Sequence, residues 1–241
     1  MPAQATDVAP SFDPVGESTL LVRFGSGIDV SLNARVHATV AALRAAALPG
    51  VDDIAPAYAS LSLHYQPVVW ADGGALPWRH LADAVGAVLA HAPGSRETKR
   101  RTIVIPVRYG GGYGPDLEPL AALLGVSPRQ LVERHAAGKY LVAMLGFAPG
   151  FPYLLGLDPA LHAPRQANPR LRVPRGSVAI GGAQTGIYPT ELPGGWQLIG
   201  RTPLALFDVA REPACLLEPG DTVRFQTIDD DAFAALARAP Q

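Results

Sequence analysis

The placing of glycine and proline constrains this chain more than any other feature. Its 241 residues include 25 Gly and 24 Pro, and these concentrate between positions 109 and 220. Glycine weakens helix interiors and proline breaks them. A segment punctuated this often fits short strands joined by turns, not a bundle of helices. Hydrophobic residues make up 48% of the chain, enough for real cores, although much of that share is alanine. Its helices are therefore better helix formers than core fillers.

Patterning divides the chain into a tail and two parts. Met1 to about Asp13 is polar and proline-punctuated, so residues 1–16 are expected to form a flexible tail. In 17–98, Thr19–Phe24 reads as a strand. Ser31 opens a helix through Val36, Val40 and Leu43 that Pro49-Gly50 stops. Ile54–Tyr65 alternates as one or two strands, and Pro77 starts a second helix through Leu81, Val85 and Val88. These elements describe a small α+β sandwich. The polar run Ser95–Arg101 is the expected boundary, read as a solvated linker.

In 99–241 the grammar changes. Thr102–Val107 is β-branched, and two short helices follow from Asp116 and Ser127. The second carries Ser127, Pro128 and Gln130, the signature of a capping box with proline at the first helical position. Short strands are expected at Tyr140–Leu145, Ser177–Gly181, Gly186–Pro189, Trp196–Ile199, Leu204–Phe207 and Thr222–Gln226. Pro219-Gly220 suits a type II turn, and a last helix is expected over Asp229–Arg238. So many short strands argue for an all-β barrel, closed or nearly closed, with short helices.

Several function classes are excluded early. A net charge of −1 gives no general attraction for nucleic acid or acidic membranes. The single cysteine, Cys215, reads as a small buried hydrophobe and makes no intrachain disulfide. The first seventeen residues lack a signal-peptide pattern, and no apolar run reaches the roughly 18 residues that span a bilayer. The cytoplasm is the expected compartment. Six histidines show no pair at metal-ligating spacing, so no metal site is expected. Tyr109–Gly114 is glycine-rich but lacks the Lys-Ser/Thr ending of a P-loop.

What remains is the dense segment from Leu145 to Asp208. Gly146–Tyr153 places Phe147, Phe151 and Tyr153 on a proline-stiffened backbone, either as a pocket wall or as loop packing. Arg165, Arg170, Arg172 and Arg175 fall within eleven residues, separated by Pro169 and Pro174. Guanidiniums on so rigid a spacing suit capture of a carboxylate or phosphate. Gln184-Thr185-Gly186 after Gly181-Gly182 can surround an oxyanion with N–H and hydroxyl donors. Trp196 faces either a core or a ligand.

Taken together, these runs carry a family pattern. Gly146–Phe151, the pairs Pro164-Arg165 and Pro169-Arg170, Val173–Val178, Gln184–Pro189 and Pro193–Pro203 resemble the B subunits of 5-oxoprolinase, within the allophanate-hydrolase-subunit-1 and sporulation-kinase-inhibitor family. Tyr109-Gly-Gly, Gly114–Leu117 and His135 with Tyr140 fit it too. Leu155, Arg175 and Leu192 depart from it, standing where glycine, alanine and serine are usual. The resemblance covers about 100 to 225 strongly and the first hundred residues in element order only. It implies a cyclophilin-like β-barrel after a small α+β domain, and one component of an ATP-dependent cyclic-amide hydrolase. Such a component would open 5-oxo-L-proline to L-glutamate with an allophanate-hydrolase-subunit-2-like C subunit and a lactam-utilisation A subunit, using ATP with Mg²⁺ as its counter-ion. Other members act in allophanate hydrolase or urea amidolyase, or inhibit a sensor histidine kinase. The resemblance points to Arg165, Arg170 and Arg201 as substrate or phosphate contacts, converging with Gln184 and Thr185 on a cleft walled by Phe147, Phe151 and Tyr188. His135, Gln184 and Thr185 are the candidates for catalysis.

Overall fold

The computed structural model describes residues 9–91 and 101–239, and the chain divides into two compact units, Met1–Thr98 and Lys99–Gln241. The expected linker residues 95–100 and the start of the expected tail lie outside the described residues.

The first unit comprises β1 (Ser11–Pro14), β2 (Thr19–Arg23), α1 (Val30–Ala46), β3 (Val51–Pro56), β4 (Ser60–Tyr65) and α2 (Pro77–His91). Its antiparallel sheet runs β1-β2-β4-β3. Period-2 alternation puts Leu20, Val22, Leu61 and Leu63 on one face, where they meet Val36, Val40 and Leu43 of α1 and Leu81 and Val85 of α2. Asp29 caps α1 by accepting from the Ser31 and Leu32 amides. Ser11–Pro14, expected in the tail, instead pairs with β2 as an edge strand, a position that tolerates its proline.

The second unit contains β5 (Thr102–Tyr109), α3 (Leu117–Leu124), α4 (Pro128–Ala137), β6 (Tyr140–Leu145), β7 (Pro152–Leu155), β8 (Arg170–Val173), β9 (Ser177–Gly181), β10 (Gln184–Ile187), β11 (Leu192–Gly194), β12 (Gln197–Arg201), β13 (Thr222–Thr227) and α5 (Asp230–Arg238). Seven of these strands close a barrel in the order β10-β7-β6-β13-β5-β12-β9. Only the β13–β5 pairing is parallel. The interior is filled by Ile105, Val107, Val142, Leu154, Val178, Ile180, Ile187, Ile199, Val223 and Phe225. The capping box at Ser127 forms as expected, with Gln130 reaching back to the Ser127 amide. The architecture is thus an α+β sheet unit followed by a closed barrel with short helices.

Several strand assignments differ from the sequence reading, among them β7, a barrel strand that the sequence reading did not contain. Leu204–Phe207 makes no strand beyond an isolated bridge from Phe207 to Cys215. Its apolar side chains are still covered, but Arg211 donates to the carbonyls of Ala205, Leu206 and Ala214 in place of a ladder. Cys215 is half-buried, not fully enclosed. Conversely, β8 and β11 form a separate two-stranded ribbon. Val173 of β8 packs with Ala179 and Leu198 on the outside of the barrel wall.

Candidate binding site

Alternation along the barrel strands creates two environments. Leu154, Val178, Ile180 and Ile187 point into the barrel, while Phe151, Ala179, Tyr188 and Trp196 gather on its outer face. Bare backbone lets those rings approach. A Cβ on Gly181 would lie 2.6 Å from the Trp196 ring, and one on Gly186 would crowd Trp196 and Phe151. A Cβ on Gly194 would collide with the Tyr188 hydroxyl. The ring of Phe151 meets Tyr188 and Trp196 edge to face at 5.3 and 5.7 Å, and that of Phe147 at 5.5 Å. The result is a cleft of about 280 Å³ lined by aromatic rings, Pro169, Pro193 and Arg165.

Arg165 stands at this cleft. Its guanidinium carbon lies 5.7 Å from the Trp196 ring centroid, and among the described residues no carboxylate pairs with it. Burial raises the pKa of the Tyr153 and Tyr188 hydroxyls; Arg165 pulls Tyr153 part of the way back, and a backbone hydrogen bond from Trp196 and then Arg165 do the same at Tyr188. Both therefore remain neutral donors near pH 7. Phe147 sits 62% exposed at the rim with φ +69, a left-handed conformation that is strained for a bulky side chain. The loop around it is closed by the Gly146 amide on the Phe151 carbonyl and the Phe151 amide on the Ala148 carbonyl.

The other expected cations go elsewhere. Arg170 donates from Nη2 to Asp116 at 2.6 Å, and the second Asp116 oxygen accepts from the Leu198 amide at 2.7 Å. This guanidinium ties the β8 ribbon to the start of α3 and to the barrel wall. Arg201 lies against the ring of Tyr113, outside the residues that line the cleft. The sequence singles out Phe147, Phe151, Tyr188 and Arg165, and the fold brings these four together. It does not bring Arg201, Thr185 or His135 to them.

His135 and Thr185 are fully enclosed in the barrel. Tyr109 donates its hydroxyl to His135 Nδ1 at 2.8 Å. The Thr185 hydroxyl donates to the Ala179 carbonyl, so its 2.9 Å contact with His135 Nε2 must be one in which the imidazole donates. The tautomer is thereby fixed, the ring stacks on Phe225 at 4.5 Å, and burial lowers its pKa from 6.5 to about 3. Neutral and bonded at both nitrogens, this buried imidazole organises the barrel core. Gln184 is also buried, on the wall face opposite to Thr185.

The glycine-rich run is likewise occupied. The Gly110 amide donates to the Ile199 carbonyl, and the Tyr113 and Gly114 amides both donate to the Gly110 carbonyl. These N–H groups do not form a cradle for phosphate. Among the described residues no cluster of three or more His, Cys, Asp or Glu could hold a metal ion, and no helix is long and apolar enough to cross a membrane.

Comparison with known proteins places this chain in a family. Residues 10–217 match the carboxyltransferase domain, subdomain C and D. Over 227 residues the chain is 41% identical to the 5-oxoprolinase B subunit of Bacillus subtilis (strain 168), covering 92% of this chain and 95% of that protein. This chain belongs to the family of 5-oxoprolinase B subunits. The family's protein from Escherichia coli O157:H7 is 60% identical over 129 residues, 54% of this chain and 59% of that one. The crystal structure of TTHA0988 superposes with a TM-score of 0.76 at 40% identity, covering 88% of this chain but only 40% of that one. In this member of the family of 5-oxoprolinase B subunits, two features of the site were undecided or unseen in the sequence. Trp196 serves both core and cleft wall, and Asp116, the partner that claims Arg170, reads in the sequence only as a helix start.

Proposed function

We propose that this chain is the B-type subunit of an ATP-dependent 5-oxoprolinase, opening 5-oxo-L-proline to L-glutamate together with C-type and A-type partner subunits. The observation that carries this reading is the pairing of Arg165 with a small aromatic cleft. 5-Oxoproline is a compact five-membered lactam bearing one carboxylate. A cleft of about 280 Å³ is at the small end of ligand sites, which suits a single such ring. Arg165 would hold the carboxylate, the walls of Phe151 and Trp196 would bury the methylene face, and the Tyr153 and Tyr188 hydroxyls would donate to the lactam oxygen.

ATP is a different matter. Three amides of the glycine-rich run, those of Gly110, Tyr113 and Gly114, are spent on backbone carbonyls of this chain. We assign binding of the nucleotide to the assembled enzyme, because the glycine-rich run lacks the Lys-Ser/Thr ending of a P-loop. The test is reconstitution with the C-type and A-type subunits, measuring 5-oxoproline-dependent ATP hydrolysis. Arg165→Ala should raise the KM for 5-oxoproline about 10- to 100-fold, the loss expected when one charged hydrogen bond disappears, with an unchanged melting temperature. An unaltered KM would remove the cleft from the reaction.

A further inference from the structure

Arg165 reaches the cleft from a segment without regular secondary structure. It lies between a 3₁₀ turn (Pro159–Leu161) and β8, on a stretch that joins the barrel through the isolated bridge of Ala163 to Gly182. Arg165 is exposed, and an exposed arginine loses much rotamer freedom when its fork must stay in one place. A guanidinium held over Trp196 therefore depends on how well its backbone is fixed. Three hydrogen bonds fix it. Gln197 Nε2 donates to the Pro164 carbonyl at 2.9 Å, and Gln166 Nε2 donates to Gln197 Oε1 at 2.7 Å. The Gln166 amide donates to the Gly195 carbonyl at 2.6 Å.

The residues just before and just after Arg165 are thus tied to one short stretch, Gly195–Gln197. That stretch also supplies the Trp196 ring beside the guanidinium and two members of the cleft wall, Gly195 and Trp196. The amide orientations follow from the partners. The Pro164 carbonyl can only accept, so Gln197 presents its NH2 group there and its oxygen to Gln166. Gln197 begins β12 directly opposite Ile180, an interior residue of the barrel, and it is buried. An apolar side chain would suit such a position, and a buried amide is tolerated only with its hydrogen bonds made. Both side-chain bonds of Gln197 run to the two neighbours of Arg165.

We propose that Gln197, acting with Gln166, is a positioning residue for the reaction: it fixes the backbone on both sides of Arg165 so that the guanidinium stands ready to receive the substrate carboxylate. The proposal rests on the oxoprolinase reading of the cleft and adds the residue that orients its cation. Neither glutamine lines the cleft, so their influence passes through Arg165 and is confined to substrate binding. A preorganised fork spends less of its binding energy on being ordered when the carboxylate arrives.

The test pairs kinetics of the reconstituted enzyme with NMR on the full chain. Gln197→Met keeps the approximate volume and removes both side-chain bonds. Gln166→Ala removes one of them from a half-buried position. Gln197→Met should raise the KM for 5-oxoproline about 3- to 10-fold, and Gln166→Ala by less, with kcat and the KM for ATP unchanged. In an Arg165→Ala background neither should raise it further, because the group they position is gone. The Arg165 Nε–H should be ordered in the wild type and show a lower heteronuclear NOE in Gln197→Met. A wild-type KM in Gln197→Met, an equal rise with and without Arg165, or an unchanged Arg165 NOE overturns the positioning role. If Gln197→Met does not assemble, the same comparisons on Gln166→Ala decide. These outcomes leave the cleft reading standing. That reading fails on a different result, a wild-type KM in Arg165→Ala, which would end the substrate part of this proposal too.

Discussion

Replacing Arg170 by alanine separates a structural guanidinium from a ligand-binding one. The Arg170–Asp116 pair is short, and its carboxylate is only 8% exposed while the arginine is 32% exposed. Removing the cation leaves the Leu198 amide to hold the Asp116 carboxylate. Breaking one side of a fully buried pair costs about 3–5 kcal/mol. With a third of the arginine in solvent, screening lowers that to about 2–3 kcal/mol. For a chain of this length each kcal/mol moves the melting temperature by about 2–4 °C, so Arg170→Ala should melt about 5–10 °C below the wild type. Arg172→Ala, which removes a surface pair at 3.7 Å, should stay within about 2 °C. Calorimetry on Arg170→Ala, Asp116→Asn and the double variant closes the cycle, with a coupling energy of about 1–2 kcal/mol expected. If Arg170→Ala melts like the wild type while the reconstituted enzyme loses activity, the guanidinium faces a ligand, and the anchoring role assigned to it is wrong.

Three further outcomes follow from the same geometry. His135 is neutral when buried with a pKa of about 3 and returns to 6.5 on unfolding, so the unfolded state binds the extra proton below pH 6.5. Stability should be full above that pH and fall as pH drops, by about 2 kcal/mol at pH 5. Urea midpoints at pH 7 and 5 measure the fall, and His135→Gln should flatten it; an equal slope in the variant would place the effect elsewhere. Gly181→Ala drives a methyl group into the Trp196 ring and should cost about 1–3 kcal/mol by overpacking, with a shifted tryptophan emission; a wild-type melt would show that the ring is not held there. Phe147→Gly relieves the left-handed strain and should raise stability by about 1 kcal/mol while weakening 5-oxoproline binding, whereas Phe147→Ala should weaken binding without the gain. Identical melting of the two variants would mean that no strain is stored at this position.

Local patterns determined much of the architecture. The alternation of Leu61, Leu63 and Tyr65, the Ser127–Gln130 capping box and the dense glycine and proline after Tyr109 each act within a few residues. Their physics can therefore be read without knowing the fold. Leu204–Phe207 misleads because its apolar run is locally indistinguishable from a strand. Arg211, several residues on, satisfies the backbone there instead. The aromatic run Gly146–Tyr153 stood out in the sequence but left pocket wall and loop packing open, because proline and glycine spacing is the same in both.

The roles of the polar residues were decided only by the tertiary structure. Arg165, Arg170 and Arg201 look alike in the chain, yet one faces a cleft, one is held by Asp116 across 54 residues, and one lies against Tyr113. His135 and Thr185, 50 residues apart, meet inside the barrel and satisfy each other. A guanidinium or an imidazole takes its function from the partner it finds, and these partners come from strand pairings and helix placements set by barrel closure. Hydrophobic periodicity is a local property of the sequence; electrostatic partnership is a property of the closed fold.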